Sequence, residues 1–436
     1  MHYAAGLALL LLIGLMTGAN LLVYSAYALF AVFFSSQFLA RKWATVTTAK
    51  RQVIQHEFEI EDEVSIGVQV TNESGWFVPW VIIEDVLPKR ATKLPPVAIE
   101  KLNEPIRLCM LPGRKNRLLS YRLRFHRRGY FQIGPTVVET GDLFGLNRRY
   151  RTATPPDFIL VLPKVIPLLG YDISSRRPIG EIRMSYRLEE DPTMISSIRE
   201  YQMGDPMNRV HWAATARTGK LHSKVFQPTC VAGAMIVLDL HKSTNPDAHE
   251  PVRSDLAITA AASICHTLYQ MGEQFGLLTN ARDAVDRIQT EGWESDARTR
   301  QEALQSIAMR DVDNRLRPVV VPVGRGADHF QEIHRTLARM ELTDGLQLPQ
   351  MLIESQSRLA RDASVIVIVQ EVDETAALAL GLLRRQGYAV SAIINHHEQD
   401  VVNQAAGRLI AERIPVAHLH DEQSISRICS ALLLKY

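Results

Sequence analysis

The run Gly233-Ala234-Met235-Ile236-Val237-Leu238-Asp239-Leu240 carries no polar side chain before Asp239, and Ser364-Val365-Ile366-Val367-Ile368-Val369 carries none after Ser364. A strand apolar on both faces is buried on both, which marks a parallel sheet covered by helices. Further strands are expected at 275–278, 388–394 and 414–418. Between them the apolar spacing turns helical: across 253–272, Leu256, Ala260, Ile264, Leu268 and Met271 share one face. Helices are likewise expected over 296–309, 328–340, 348–360, 374–386 (closed by Gly387), 401–412 and 424–433. Residues 231–436 therefore read as a doubly wound α/β domain.

Upstream, from 41 to 165, the period is two. Ser65-Ile66-Gly67-Val68-Gln69-Val70-Thr71 alternates and ends on the turn signal Asn72-Glu73-Ser74-Gly75. Val81, Ile83, Asp85 and Leu87 form one face after Pro79. Leu119, Tyr121, Leu123 and Phe125 form another, with Ser120, Arg122, Arg124 and His126 opposite. Short strands with regular turns and no helical stretch predict an antiparallel β-sandwich. The basic run 114–128 places its arginines on the solvent side of a strand. Its aromatics supply core rather than a stacking platform, so no nucleic-acid partner is expected; the run reads as a solvated or membrane-facing surface, with anionic lipid headgroups the better-fitting attraction.

Residues 1–40 contain no Asp, Glu, Lys or Arg. As one helix, residues 4–40 would span roughly 55 Å, nearly twice the bilayer's apolar thickness of about 30 Å. Met16-Thr17-Gly18-Ala19-Asn20 interrupts the run, and a transmembrane helical hairpin of 4–17 and 21–40 is predicted. A cleaved signal peptide would need a positive leader, and the first positive side chain is Arg41. Arg41, Lys42, Lys50 and Arg51 follow the second helix, so the positive-inside rule puts the remainder in the cytoplasm, below the inner membrane. The net charge of +2 hides a segregation: 29 basic and 20 acidic residues in 41–230, against 20 basic and 27 acidic in 231–436. Cys109, Cys230, Cys265 and Cys429 are too scattered for a disulfide framework and read as reduced thiols.

The most information-dense stretch lies in the linker 166–230: Ser197-Ile198-Arg199-Glu200-Tyr201-Gln202-Met203-Gly204-Asp205-Pro206-Met207-Asn208-Arg209-Val210-His211-Trp212-Ala213-Ala214-Thr215-Ala216-Arg217. Arg199, Arg209 and Arg217 can pair with Glu200 and Asp205, and Trp212 can pack beneath a guanidinium. The cluster either knits the linker to the next sheet or offers a docking surface built on Arg199, Glu200, Tyr201, Gly204, Asp205, Arg209, Trp212 and Arg217.

With Lys224 and Phe226 following, this stretch resembles the signature of the domain of unknown function 58 family. Arg127-Arg128-Gly129-Tyr130-Phe131-Gln132-Ile133-Gly134-Pro135 and Gly141-Asp142-Leu143-Phe144-Gly145-Leu146 resemble the family's upstream β-domain motifs, and the N-terminal hairpin fits it. The resemblance implies a von Willebrand factor A-like C-terminal domain. It also implies a MoxR-type AAA+ ATPase as partner, often with a transglutaminase-like membrane protein nearby. Such domains commonly hold Mg²⁺ on Asp-x-Ser-x-Ser plus a Thr and an Asp from later loops. Here the first motif aligns as Asp239-Leu240-His241-Lys242-Ser243: Asp239 and Ser243 match, His241 replaces the middle serine, and Gln370 stands where the last Asp is due. Thr279 and Thr343 are the threonine candidates, and a bound Mg²⁺ is not expected.

Gly219-Lys220 lacks the spacing and hydroxyl of a phosphate loop, no G-x-S-x-G elbow occurs, and His396-His397 and His418-x-His420 lack a spaced third zinc ligand. The expected function is a non-catalytic, membrane-anchored adaptor or co-chaperone in assembling or remodelling envelope or metal-dependent complexes. The competing readings are a metal-assisted hydrolase at the strand ends and a purely structural membrane protein.

Overall fold

The computed structural model describes residues 2–18, 20–52, 55–142, 147–168, 171–172, 177–178, 189–202, 207–229, 233–292, 315–359 and 363–428. The molecule is mixed α/β with several sheets, and its contacts divide it into two units, Met1–Pro163 with Ala284–Asp313 and Lys164–Asp283 with Asn314–Tyr436.

In the first unit, helices α1 (His2–Thr17) and α2 (Asn20–Val46) are separated at Gly18, whose φ of +66° suits a glycine. Val23–Val46 is long and apolar enough to cross a bilayer. The second helix does not stop at residue 40. Trp43 is buried in the β core, Ser36 Oγ accepts from Asn147 Nδ2 at 2.8 Å, and Arg151 donates to the Thr45 carbonyl at 2.8 Å. Those contacts carry the helix past Arg41 and Lys42.

Three sheets share that core. Thr47–Gln52, Glu63–Asn72, Asn116–Phe125 and Ile99–Lys101 lie side by side in that order. Arg148–Thr154, Thr136–Gly141, Val78–Asp85 and Ile106–Leu111 make a second sheet, and Glu57–Phe58, Asp157–Val161 and Gly129–Ile133 a third. Alternation puts Val64, Ile66, Val68 and Val70 inside with Tyr121, Leu123 and Phe125, while Ser120 and Arg122 face out.

Asp85 lies on the same inward face as Val81 and Ile83 and is buried. Arg51 compensates it. Arg51 Nε donates to Asp85 Oδ2 at 3.0 Å and Nη2 makes a shorter contact with Oδ1. Nη2 also reaches Thr136 Oγ1 at 3.1 Å, and Nη1 reaches the Pro155 carbonyl at 3.0 Å and Asp157 at 3.2 Å. Tyr121 donates its hydroxyl to Asp85 Oδ2 at 2.6 Å. Arg51, counted from sequence among the juxtamembrane positive charges, is in fact 2% exposed and tied up in this pair. A Cβ at Gly134 would overlap the Arg51 guanidinium, and Gly134 has φ +84°, so the Gly134 motif is a cradle for the ion pair. Removing one partner of such a pair strands the other charge: Asp85→Ala is expected to lose roughly 3–5 kcal/mol in chemical denaturation of the detergent-solubilised protein.

In the second unit a six-stranded sheet runs Val319–Gly324, Gln274–Thr279, Gly233–Leu238, Ala363–Val369, Ala389–Ile394, Val416–His418. All neighbours are parallel except the first pair. Ile236 and Leu238 pack with Ile258, Ile264, Ile333 and Leu337 from the helices Val252–Met271 and Ala327–Arg339. Met235 and Val237 pack on the opposite face with Met351, Leu380 and Leu409, from Leu348–Glu354, Glu374–Arg385 and Gln399–Ala411. The apolar pattern of the sequence does not announce the strand Val319–Gly324. It contains Pro322, which an edge strand tolerates, and it sits at the edge. The helix expected over 348–360 ends at Glu354 and gives way to a 3₁₀ turn, Gln356–Arg358. The helix expected over 296–309 lies outside the described residues, as do Cys230 and Cys429.

Cys265 is buried in the helix Val252–Met271, and burial pushes its thiol well above the ordinary cysteine range. Burial also raises Cys109. Only thiolate reacts readily, so Cys265 should resist Ellman's reagent in the native protein and react once it is unfolded in urea, as peptide mapping of the labelled sites would show.

Candidate functional site

Parallel strands deliver their carboxyl ends to one edge, and the crevice where the strand order reverses is the place such sheets bind ligands. Gly233–Leu238 leads through a helix to Gln274–Thr279 on one side, while Ala363–Val369 lies on the other. Asp239 and Gln370 therefore follow directly on the two strands that flank this reversal. Asn280, Asn395 and His396 follow neighbouring strand ends.

Asp239 is buried, and its oxygens are used within the protein. Oδ1 accepts from Asn280 Nδ2 at 2.7 Å and from the His241 N–H at 3.2 Å, and Oδ2 accepts from Thr244 Oγ1 at 2.7 Å. Asn280 Oδ1 in turn accepts the Leu240 N–H at 2.8 Å, and its amide donates to the Leu346 carbonyl at 2.9 Å. Burial pushes the Asp239 carboxyl up, while the Thr244, Asn280 and His241 donors favour its charged form. Ser243 Oγ lies 2.7 Å from His241 Nδ1. Thr279 Oγ1 accepts from the Ala281 N–H and Thr343 Oγ1 from the Gly345 N–H, both at 3.1 Å. These residues do not fit a Mg²⁺ shell: every oxygen the motif would supply already serves a local turn, and Gln370 is uncharged. Gln370 is buried with neither amide atom hydrogen-bonded. A buried amide left unpaired in this way costs about 1–3 kcal/mol.

The histidines form a second cluster that spacing did not reveal, because its third member comes from a different loop. One ring nitrogen each from His249, His396 and His397 lies within 4.8 Å of the others. The His396 and His397 rings stack at 4.9 Å, and His249 meets them edge-on at 5.3 and 4.4 Å. Burial, helped by the adjacent rings, holds His396 below the ordinary imidazole range. His396 Nδ1 accepts the Glu398 N–H at 3.0 Å, which keeps the ring proton on Nε2. His418 instead bonds the His396 carbonyl, at 2.7 Å.

The signature stretch is no loose linker. Glu189–Glu200 pairs antiparallel with His222–Thr229, and a short helix, Trp212–Thr218, sits at the ribbon's turn. His211 caps that helix by accepting the Ala214 N–H at 3.0 Å, and Gly219, at φ +72°, closes it. The Glu200 carboxylate meets Lys220 at 3.0 Å, a pairing the sequence did not suggest. Arg199 donates to the Glu200 carbonyl at 3.3 Å. Arg199 and Arg217 are exposed, Tyr201 and Arg209 half-buried, and Trp212 is 65% exposed; Gly204 and Asp205 lie outside the described residues.

Residues 197–315 match the family described as "Protein of unknown function DUF58". The chain is 25% identical over 240 residues to the uncharacterised protein YeaD of Bacillus subtilis (strain 168), across 54% of this chain and 56% of that protein. It thus spans about half the length of that relative. Both matches support the DUF58 family. Among solved structures, the proximal thread matrix protein 1 of the mussel byssus is similar over 46% of this chain and 47% of its own (12% identity, TM-score 0.30). The CARDB domain of a Pyrococcus furiosus protein is similar over 26% and 91% (11% identity, TM-score 0.20).

Asp239→Ala should take from the Asn280 amide one of its two acceptors and leave the Thr244 hydroxyl only the His241 carbonyl. A loss of roughly 2–3 kcal/mol in urea denaturation is expected, with Ser243→Ala close to wild type because that side chain is exposed.

Proposed function

We propose that this chain is a membrane-anchored, non-catalytic adaptor or co-chaperone that presents the 197–229 ribbon to a MoxR-type AAA+ ATPase. In this reading both N-terminal helices span the inner membrane, and the β-sandwich and von Willebrand factor A-like domain lie in the cytoplasm. The partner assembles or remodels envelope or metal-dependent complexes, with a transglutaminase-like membrane protein as a further associate.

The observation that carries the reading is what the ribbon and its connection expose. Ile198, Met207, Trp212 and Leu221 are large, apolar and solvent-facing, and Arg217 and Lys220 of the same stretch are exposed as well. Tryptophan and arginine are the residues on which protein interfaces concentrate their energy. The strand-end edge supports binding over turnover, since Asp239 spends its carboxylate on holding its own loop.

Capture of the ATPase from the same organism on the full-length, detergent-solubilised protein tests this. Trp212→Ala and Arg217→Ala are each expected to weaken capture about tenfold or more, the effect of a residue worth more than about 1.4 kcal/mol at an interface. No capture by wild type, or equal capture by both variants, overturns it.

A further inference from the structure

The turn Asn72–Phe77 does something unusual with its aromatic residues: it holds them out. Trp76 and Phe77 are 53% and 52% exposed, although both adjoin a strand whose next residue, Val78, is fully buried. The exposure is built in. Asn72, itself buried, donates its amide to the carbonyls of Trp76 at 2.7 Å, Leu111 at 3.2 Å and Pro112 at 3.3 Å. Its Oδ1 accepts from the Ser74 N–H at 3.0 Å and the Ser74 hydroxyl at 2.8 Å.

A second tip, residues 112–115, is zipped to the first. Arg114 N–H donates to the Ser74 carbonyl at 2.9 Å and Asn72 N–H to the Lys115 carbonyl at 3.0 Å. The backbones approach so closely that a Cβ at Gly113 would strike the Gly75 carbonyl. The result is a stiff double tip with two aromatics outward, Arg114 and Lys115 beside them, and the exposed Met110 and Leu108 on the adjoining edge strand. The turn's one carboxylate, Glu73, accepts from Thr48 Oγ1 at 2.9 Å.

Position names the occupant. Lys42 Nζ lies 4.7 Å from the centroid of the Trp76 ring and 5.7 Å from that of Phe38, which is itself 61% exposed. Phe38 and Lys42 both belong to Val23–Val46, the helix long and apolar enough to cross a bilayer. The tip therefore stands level with the end of that helix, where a bilayer would change from acyl chain to headgroup. Tryptophan, phenylalanine and snorkelling lysine gather at that depth, and arginine and lysine beside it attract anionic headgroups.

We infer that the paired tips form a membrane-contacting edge: Trp76 and Phe77 insert at the headgroup level of the bilayer that the second helix crosses, while Lys42, Arg114 and Lys115 engage anionic lipid. The inference rests on the membrane-anchored reading and adds a second attachment that sets the β unit's orientation on the bilayer surface.

The full-length protein in vesicles of phosphatidylcholine, with and without phosphatidylglycerol and carrying brominated acyl chains, tests both. Flotation after carbonate washing reads the anchor, and bromine quenching of tryptophan fluorescence reads the tip. Quenching should fall by more than half in Trp76→Phe, and the extra quenching that phosphatidylglycerol produces should vanish in Arg114→Ala/Lys115→Ala. Trp76 is exposed, so circular dichroism should show Trp76→Phe folded as wild type. Flotation with unchanged quenching in Trp76→Phe overturns the tip and leaves the anchor standing. A Trp76 shielded from both bromine and aqueous iodide assigns the tip to a second copy of the chain and also overturns the inference. Failure to float overturns the anchor, and the tip with it.

Discussion

Where the central parallel strands end, the chain must turn from backbone satisfied by its neighbours to backbone that is not, and the Asp239 carboxylate manages that change. It gathers a main-chain N–H, a hydroxyl and an amide from two loops, and Asn280 extends the network to a third loop at Leu346. Burying a carboxylate is costly unless donors surround it; here they do, and the same donors make the loop rigid. The polar edge of the second unit is organised around this one group. Gln370 follows the adjacent strand, its buried amide facing no protein partner, and the three histidines gather from other loops.

The first unit solves a similar problem with opposite charges. A carboxylate at an inward position of a strand is tolerated because Arg51 brings a full guanidinium to it, and Arg51 fits because Gly134 has no side chain. The ion pair links three stretches that are distant in sequence: the strand after the second helix, the strand ending at Asp85, and the Gly134 turn. A glycine-rich motif that reads like a run of turns is in this case a steric requirement of one buried contact.

Charge in this protein is informative only after its position is known. Of the four cations that follow the apolar segment, Arg51 is spent in the core, whereas Lys42 remains beside Trp76 at the helix end. The arginines of the 114–128 run divide in the same manner, Arg114 standing on a loop tip and Arg122 and Arg124 pairing with Glu63 across a sheet surface. The signature cluster also redistributes its partners, Glu200 taking Lys220 in preference to the arginines closer in sequence.

The sequence alone determined the helix break at Gly18, the alternation that buries inward positions such as Ile66 and Val68 against Tyr121, and the central strands apolar on both faces. Each is a local pattern, set by a period of two or 3.6 or by one residue's backbone freedom. It also singled out the 197–217 stretch, because that density of arginine, carboxylate and tryptophan is rare in a linker. Only the tertiary structure decided which buried charge met which. Arg51 and Asp85 are 34 residues apart, Asp239 and Asn280 41 apart, and His249 reaches His396 from another loop. No spacing rule joins such residues, because what brings them together is sheet order and loop path, which no single segment contains.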